Sequence, residues 1–386
     1  MTAHYDVSIV IPVFNKWNLT KDCLESIAAA NEAVRYEVIV VDNGSSDETV
    51  SACAVLGRQL FGGAFRYERS ECNLNFAAGC NRGASAATGQ YVLFLNNDTI
   101  VTPNWLGPLV ARMQSDRRLG AVGPLLIHPD RGGLGDRVQH IGVSVSRRRC
   151  LFHIFEHWPV SHPVVTMHRE LQAITAAAMM LPRRLFEHVG GFHEAYRNGF
   201  EDVDLCVQLA RTGSTMCCEP KSRVYHLEGQ TPGRHDNEEH NSAIIMQRAM
   251  PFMRPDAVQL AEASGFAWGL GGAGETVVLL TDAHRREIAA RLEGARSAST
   301  IHQLLMEYPC WYEGYSFFAS CLVDAGREYE ALEWLTLRLR MNSCEMTLRQ
   351  IAKIYSRLGH YESAAESLKM IDVIRTRPQS AAVSGA

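Results

Sequence analysis

Short runs of β-branched residues alternate with stretches of helical spacing through the first half of this chain. No other feature narrows the fold as much. Val7–Phe14 and Tyr36–Val41 read as buried strands. Between them Leu19, Cys23, Ile27 and Ala30 fall at helical spacing. Phe65–Glu68 is a weaker strand, Ala77–Ala87 a small-residue helix ending near Gly89, and Gln90–Leu95 a buried strand. Thr102 and Pro103 have the chemistry of an N-cap and first helical position, which predicts a helix running toward Gln114. Leu119–Ile127 follows as another strand. Repeated β-α-β units place strands in parallel with helices on both faces, so the pattern predicts an α/β fold around an open, mostly parallel sheet.

Beyond this the pattern loosens. His128–His168 reads as loops with one or two strands near Val138–Val145. Leu171–Leu181 is apolar, Gly190-Gly191 a turn, Glu201–Thr212 a helix and Arg223–Leu227 a short strand. From Ser297 onward helical periodicity takes over. Ala319/Ala352, Gly326/Gly359, Ala331/Ala364 and Leu335/Leu368 each differ by 33 positions. That spacing resembles the tetratricopeptide helix-turn-helix over about two units, although Glu328 stands where Tyr361 supplies an aromatic. Two units bury little surface alone, so they should pack on the first domain or on a second copy. The expected organisation is a domain at 1–240, a connecting segment at 241–296, an all-α helical-hairpin region at 297–378 and a disordered tail at 379–386.

Charge and cysteine content remove several function classes. The 386 residues carry 38 basic and 42 acidic side chains, a net of −4, which argues against binding driven by nucleic-acid phosphates. The 11 cysteines are scattered, form no C-x-x-C pair, and suit a reducing compartment. No basic stretch followed by an apolar run opens the chain, so no signal peptide is expected. The apolar runs are too short to span a bilayer. A cytoplasmic protein is the expectation, with room for visits to the inner face of a membrane.

Acidic residues recur where strands end, the place where open α/β sheets bind ligands. Asp42 closes the run Val40-Val41-Asp42-Asn43-Gly44-Ser45-Ser46-Asp47 and could accept hydrogen bonds from a ribose or base, though the same residues make a turn and a cap. Asp98, in Phe94-Leu95-Asn96-Asn97-Asp98-Thr99, could hold Mg²⁺ or Mn²⁺ beside a diphosphate. Glu201, Asp202 and Asp204 crowd one helix start, where they either favour the helix dipole or supply a general base. Asp202 and Asp204 cannot share a helix face, so one could reach the cleft while the other caps or pairs. His226 ends a strand and could join a metal through a ring nitrogen. Two motifs are set aside. The G-x-G-x-x-G at Gly269–Gly274 precedes a strand rather than a helix, against a dinucleotide site and a nucleotide-dependent oxidoreductase. The H-x-x-E-H at His153–His157 has no helix to align its imidazoles. Arg147–Arg149 reads as a solvated turn.

Taken in order, these motifs resemble family 2 glycosyltransferases of the GT-A fold, across roughly the first 230 residues. The matching text is Ser8-Ile-Val-Ile-Pro12-Val-Phe-Asn15, the Asp42 and Asp98 runs, Asn73–Gly83, Gly190–Glu194, Glu201–Leu205 and Tyr225-His226. The nearest likeness is to the rhamnosyltransferase-like branch of bacterial surface-polysaccharide enzymes. The resemblance implies that Pro12, Phe14 and Asn15 line a nucleotide pocket and that Asp42 bonds the base. It puts Asn75 and Asn81 over base and ribose, and Asn96, Asn97 and Asp98 in the family's D-x-D site, with Asp98 as metal ligand. Asp202 would deprotonate the acceptor and His226 would approach the metal or diphosphate. Three positions depart from the family. Asn96 replaces the first D-x-D acid, Asn75 stands where Gly is usual, and His193 replaces the Asp of G-F-D-E.

The function expected is therefore inverting transfer of a sugar from a nucleotide-diphosphate donor, with UDP- or dTDP-sugars favoured, to a glycan, lipid-linked or protein acceptor. Mg²⁺ or Mn²⁺ would assist, and the C-terminal helices could support a homo-oligomer. The competing expectation is a catalytically inert scaffold that recruits partners through its helical repeat.

Overall fold

The computed structural model describes residues 5–130, 132–227, 237–272, 274–294 and 297–376, so the expected tail at 379–386 lies outside the described residues. The chain opens as β1 (Val7–Val13), α1 (Trp17–Ala29), β2 (Tyr36–Asp42), α2 (Thr49–Phe61), β3 (Phe65–Arg69), α3 (Asn75–Ala86) and β4 (Tyr91–Leu95). There follow β5 (Thr99–Val101), α4 (Leu106–Ser115), β6 (Leu119–His128), β7 (Arg137–His140), β8 (Val143–Val145) and β9 (Leu151–His153). Next come β10 (Ala178–Pro182), α5 (Arg183–His188), α6 (Glu201–Arg211) and β11 (Thr215–His226).

Nine strands form one sheet in the order β3-β2-β1-β4-β10-β6-β11-β5, with β7 also on β6. Strands β3, β2, β1, β4, β6 and β11 run one way, while β10, β5 and β7 oppose them. The sheet is thus open, mixed and mostly parallel, with helices on both faces: a GT-A-like core. Alternation along the central strands builds both hydrophobic layers. Val10, Ile39, Val41, Val92 and Phe94 face α3 and α6. Ile9, Ile11, Val38, Val40, Leu93 and Leu95 face α1 and α4. The small residues of α3 have a steric cause: a Cβ on Gly83 would overlap Val10 Cγ1.

Tertiary contacts overrode the sequence reading at several points. The predicted helix from Thr102-Pro103 starts later, at Leu106. The Glu32 carboxylate takes the amides of Leu106 (3.0 Å) and Gly107 (3.3 Å), while the Thr102 hydroxyl donates to Arg223 O. Of the one or two strands expected near Val138–Val145 there are two, β7 and β8, parted at Gly142, whose φ is +138°. Only Ala178–Pro182 of the apolar Leu171–Leu181 region is strand. The short strand at Arg223–Leu227 is the end of the bulged, 12-residue β11. Helix α2 was not anticipated.

After the sheet come α7 (Glu238–Arg248), α8 (Ala257–Ala263), the hairpin β12 (Ala267–Leu270) and β13 (Thr276–Leu279), and α9 (Asp282–Gly294). The glycine motif is this hairpin and its turn: a strand does enter it, through Gly269, and as expected no helix follows. Arg147–Arg149 form an exposed turn, as expected, from which Arg149 also donates to Met250 O and Met253 O.

The C-terminal region is all helical: α10 (Ala298–Glu307), α11 (Tyr312–Asp324), α12 (Glu328–Met341), α13 (Glu345–Arg357) and α14 (Tyr361–Thr376). Helix α11 pairs with α12, and α13 with α14. The 33-residue spacing has a structural counterpart. Gly326 and Gly359 make the two turns at φ +73° and +81°, and Ala319, Ala352, Ala331 and Ala364 are buried at the crossings. Leu335 is buried but Leu368 is exposed, because among the described residues no further helix follows α14 to cover the face turned away from α13. These helices share a core with the first domain: the Arg137 guanidinium lies over the Trp334 ring, 5.5 Å from its centre.

Candidate active site

The strand ends of β1, β2, β4 and β11 deliver most of the residues singled out in the sequence. Asn96, Asn97 and Asp98 leave β4, where Asn96 N donates to Ala177 O at 2.9 Å. The β5–β11 ladder pairs Thr99 with His226, so the chain returns beside Asp98. His226 Nε2 lies 3.1 Å from Asp98 Oδ1, and both side chains are largely enclosed. Asn96 Nδ2 is 3.4 Å from the same ring nitrogen. Asn97 instead turns away and donates to Thr20 Oγ1 (2.9 Å).

The donor atoms fit a divalent cation. The Gln139 amide nitrogen donates to His226 O (3.3 Å), which directs its oxygen to His226 Nδ1 at 2.7 Å. Nδ1 therefore carries a proton, and Nε2 is the ring nitrogen turned to the Asp98 carboxylate. Carboxylate, imidazole and diphosphate oxygens can all ligate Mn²⁺ or Mg²⁺, and here a carboxylate oxygen and a ring nitrogen converge on one point.

Carboxylates at the start of α6 have three different surroundings. Asp202 is half-buried, its Oδ2 accepting from Ala176 N at 3.1 Å. Asp204 is buried and held by Arg248 (2.8 Å) and Gln208 (3.1 Å). Glu201 is buried and accepts from Gly199 N at 2.6 Å. Ala176 touches Asp202 and Ala177 touches Asn96, so one dipeptide carries the α6 carboxylate and the β4 strand end together.

On the other side, Phe14 is exposed beside buried Pro12. Asn15 adopts φ +56° and its side-chain oxygen accepts from Ser46 N (2.8 Å), binding the β1 and β2 exits together. Asp42 is fully buried, and its oxygens are engaged by Ser45 N (2.8 Å), the Tyr67 hydroxyl (2.6 Å) and Arg69 (3.3 Å). In this arrangement Asp42 shapes the loop instead of facing outward. Asn81 likewise turns inward, clamping Phe192 N and O at 2.9 Å each and Glu194 at 2.8 Å. Asn75 sits at φ +63°, which explains an Asn where the family usually has Gly: both tolerate the left-handed region.

Two features escaped sequence reasoning. Gln139 carried no motif; only the fold brings it under His226. The H-x-x-E-H segment is indeed not helical, yet Glu156 and His157 join His128 from the end of β6. Their three donor atoms lie within 4.8 Å of one another, the metal-capable group found among the described residues. Burial alone would raise the Glu156 carboxyl. The hydrogen bond from His128 and the charges of His157 and His153 outweigh it and hold the group at about 2.

Comparison with known proteins bears on the strand-end site. Residues 8–190 match glycosyl transferase family 2. The match takes in β1 through α5 with Asp98, and stops short of α6 and β11, so Asp202 and His226 lie beyond it. An uncharacterised protein of Sinorhizobium fredii, y4gI, is 29% identical over 256 residues, covering 64% of this chain and 27% of that protein. The O-antigen biosynthesis protein RfbC of Myxococcus xanthus is 31% identical over 230 residues, 58% of this chain and 17% of RfbC. The chain thus spans well under a third of either relative's length. Among solved structures, GalNAc-T7 with UDP, GalNAc and Mn²⁺ superposes with a TM-score of 0.49 at 17% identity, covering 68% of this chain and 55% of that one.

Proposed function

We propose that this chain is an inverting glycosyltransferase that moves a sugar from a nucleoside-diphosphate donor to an acceptor hydroxyl. The observation that carries the reading is the Ala176-Ala177 dipeptide, which seats a half-buried carboxylate, Asp202, next to the β4 exit that bears Asn96 and Asp98, with His226 of β11 alongside. A single-displacement transfer needs such a pair of sites: a base for the incoming hydroxyl and a charge-stabilising group for the leaving diphosphate. Asp202 takes the acceptor proton as the hydroxyl oxygen attacks the anomeric carbon and the bond to the diphosphate breaks. Asp98 and His226 would hold Mn²⁺ or Mg²⁺, which supplies Lewis-acid neutralisation of the departing diphosphate. Phe14, exposed at the β1 exit, offers an apolar face to the base, and Asn15 and Asn75 shape the loops around it. Asp42 and Asn81 serve by holding the β2 exit and the Phe192–Glu194 loop.

Around that core the reading extends outward. A UDP- or dTDP-sugar is the favoured donor, and the rhamnosyltransferase-like character of the motif set puts the acceptor in bacterial glycan synthesis. RfbC, named for O-antigen biosynthesis, supports the same setting. No helix among the described residues is long and apolar enough to cross a membrane. A cytoplasmic site of action, with access to lipid-linked acceptors at the membrane face, belongs to this proposal. So do the tetratricopeptide-like character of α11–α14 and self-association through exposed Leu368, Met370 and Val373 on α14.

Calorimetric titration with UDP, dTDP, GDP and CDP, each with and without Mn²⁺, tests the reading. The expected result is metal-dependent binding of one nucleotide that disappears in Asp98→Ala. A folded protein that binds none of the four overturns it.

A further inference from the structure

We propose that Gln139 is a positioning residue for the donor site: its amide fixes the ring tautomer and orientation in which His226 can ligate a divalent cation. This rests on the glycosyltransferase reading above, and it assigns a role to a residue outside every motif of the sequence.

The case begins with backbone geometry. Strand β7 runs antiparallel to β6, with Val138 opposite Ile127 and His140 opposite Leu126. Gln139 is the extra residue between those pairs, in a β-bulge. Bulges next to functional sites commonly re-aim one side chain. Here the bulged carbonyl is bonded by His153 Nδ1 (3.1 Å), so β9 holds the distortion in place. The Gln139 side chain is 2% exposed. Its Oε1 accepts from His226 Nδ1 at 2.7 Å, and its Nε2 donates to His226 O at 3.3 Å. One amide thus grips both the ring and the backbone of the same histidine. An amide reversed in that grip would set its oxygen against the His226 carbonyl, so the orientation is defined.

The consequence is chemical. A histidine ligates metal through one nitrogen only when the other keeps its proton and has an acceptor for it. Gln139 Oε1 is that acceptor. It leaves Nε2 as the ring nitrogen available to a cation, 3.1 Å from Asp98 Oδ1. The other face of the amide bears on His128, whose Nδ1 lies 3.4 Å from Gln139 Nε2. That contact makes His128 Nδ1 an acceptor and leaves its Nε2 proton for Glu156 Oε1 at 3.3 Å. The same amide therefore arranges His226 for a metal and His128 for a hydrogen bond.

The test is Mn²⁺ titration of the full chain in the presence of the nucleotide it binds, UDP or dTDP, for wild type, Gln139→Met and Gln139→Glu. Loss of a partner to a metal-bound histidine typically weakens metal binding by about 10–100-fold. Gln139→Met, equal in length but with no comparable acceptor, should show that loss. Gln139→Glu keeps the acceptor for Nδ1 but sets its second oxygen against His226 O, so it should bind Mn²⁺ more tightly than Gln139→Met and more weakly than wild type. Nitrogen-15 NMR of metal-free protein adds an independent readout. His226 should be the Nδ1–H tautomer in wild type and a mixture in Gln139→Met. Wild-type Mn²⁺ affinity and an unmixed tautomer in Gln139→Met would overturn the role of Gln139 alone. Failure of the wild type to bind Mn²⁺ with any nucleotide would overturn the functional reading beneath it.

Discussion

Asp202 and Asp204 sit two residues apart and have opposite surroundings, which separates a chemical role from a structural one. Asp204 is buried against Arg248, while Asp202 is half-buried with one oxygen on Ala176 N. Asp202→Asn should lower turnover by about 10²–10⁴-fold, the usual worth of a general base, with nucleotide affinity unchanged. Asp204→Asn should instead cost about 1–3 kcal/mol of stability, through the weakened bond to Arg248, read as a lower melting temperature. Normal turnover in Asp202→Asn would remove it as the base. Histidine chemistry sets the acid limit at the same scale. Burial above all, with His153 and His226 close by, holds His140 well below its ordinary value, so it stays neutral in the fold. As pH falls below about 6.5 the unfolded chain gains a proton that the native state resists, and stability declines. Glu156, lowered to about 2, contributes stability above its unfolded value of 4.5 and loses it as pH falls from there toward 2. Melting curves from pH 8 to 4 should show the first loss beginning below pH ~6.5 and diminished in His140→Gln. A curve identical in that variant would contradict this assignment.

At the scale of elements, caps, bulges and turns decide where the site residues come to rest. Helix α3 begins at Asn75 in the left-handed region, with Asn73 bonded to its amide at 2.8 Å. Asn75→Gly should be close to neutral, whereas Asn75→Val should lose about 1–2 kcal/mol, since a β-branched residue pays the full left-handed penalty. Chemical denaturation of the two variants measures the difference, and equal stabilities would refute the backbone argument. Glu32 caps α4 from a loop more than 70 residues away in sequence. The β7 bulge works the same way: one inserted residue redirects an amide into the donor site.

Across the whole molecule, the helical region and the sheet domain are one hydrophobic body. Leu304, Trp334 and Leu335 belong to the same cluster as Phe94 and Val203. His162 Nε2 bonds Glu307 O at 3.1 Å, and buried Arg137 faces Trp334. Trp334→Ala should therefore destabilise the protein by about 3–5 kcal/mol, the range for truncating a buried tryptophan. The loss should appear in calorimetric unfolding of the sheet domain as well as of the helices. A sheet-domain transition unmoved by this variant would show that the two regions are energetically separate.

Local periodicity is enough to read β1, β2, β4 and β6, because burial on both faces leaves little choice but continuous β-branched runs, and it finds α1 and α3 between them but not α2. The recurrence of acids at strand ends was equally legible, since open sheets bind ligands there. The small residues and turn glycines of the tail announced helical hairpins. Which of those polar residues face outward was a tertiary decision. Asp42 and Asn81 find all their partners inside the fold, and Asp204 finds Arg248 from α7, 44 residues on. Gln139 and the His128–Glu156–His157 group are meetings of distant segments, so no local spacing encodes them. A sequence specifies each strand by its own hydrophobic pattern. Hydrogen-bond partners are chosen only when the sheet has set those strands side by side.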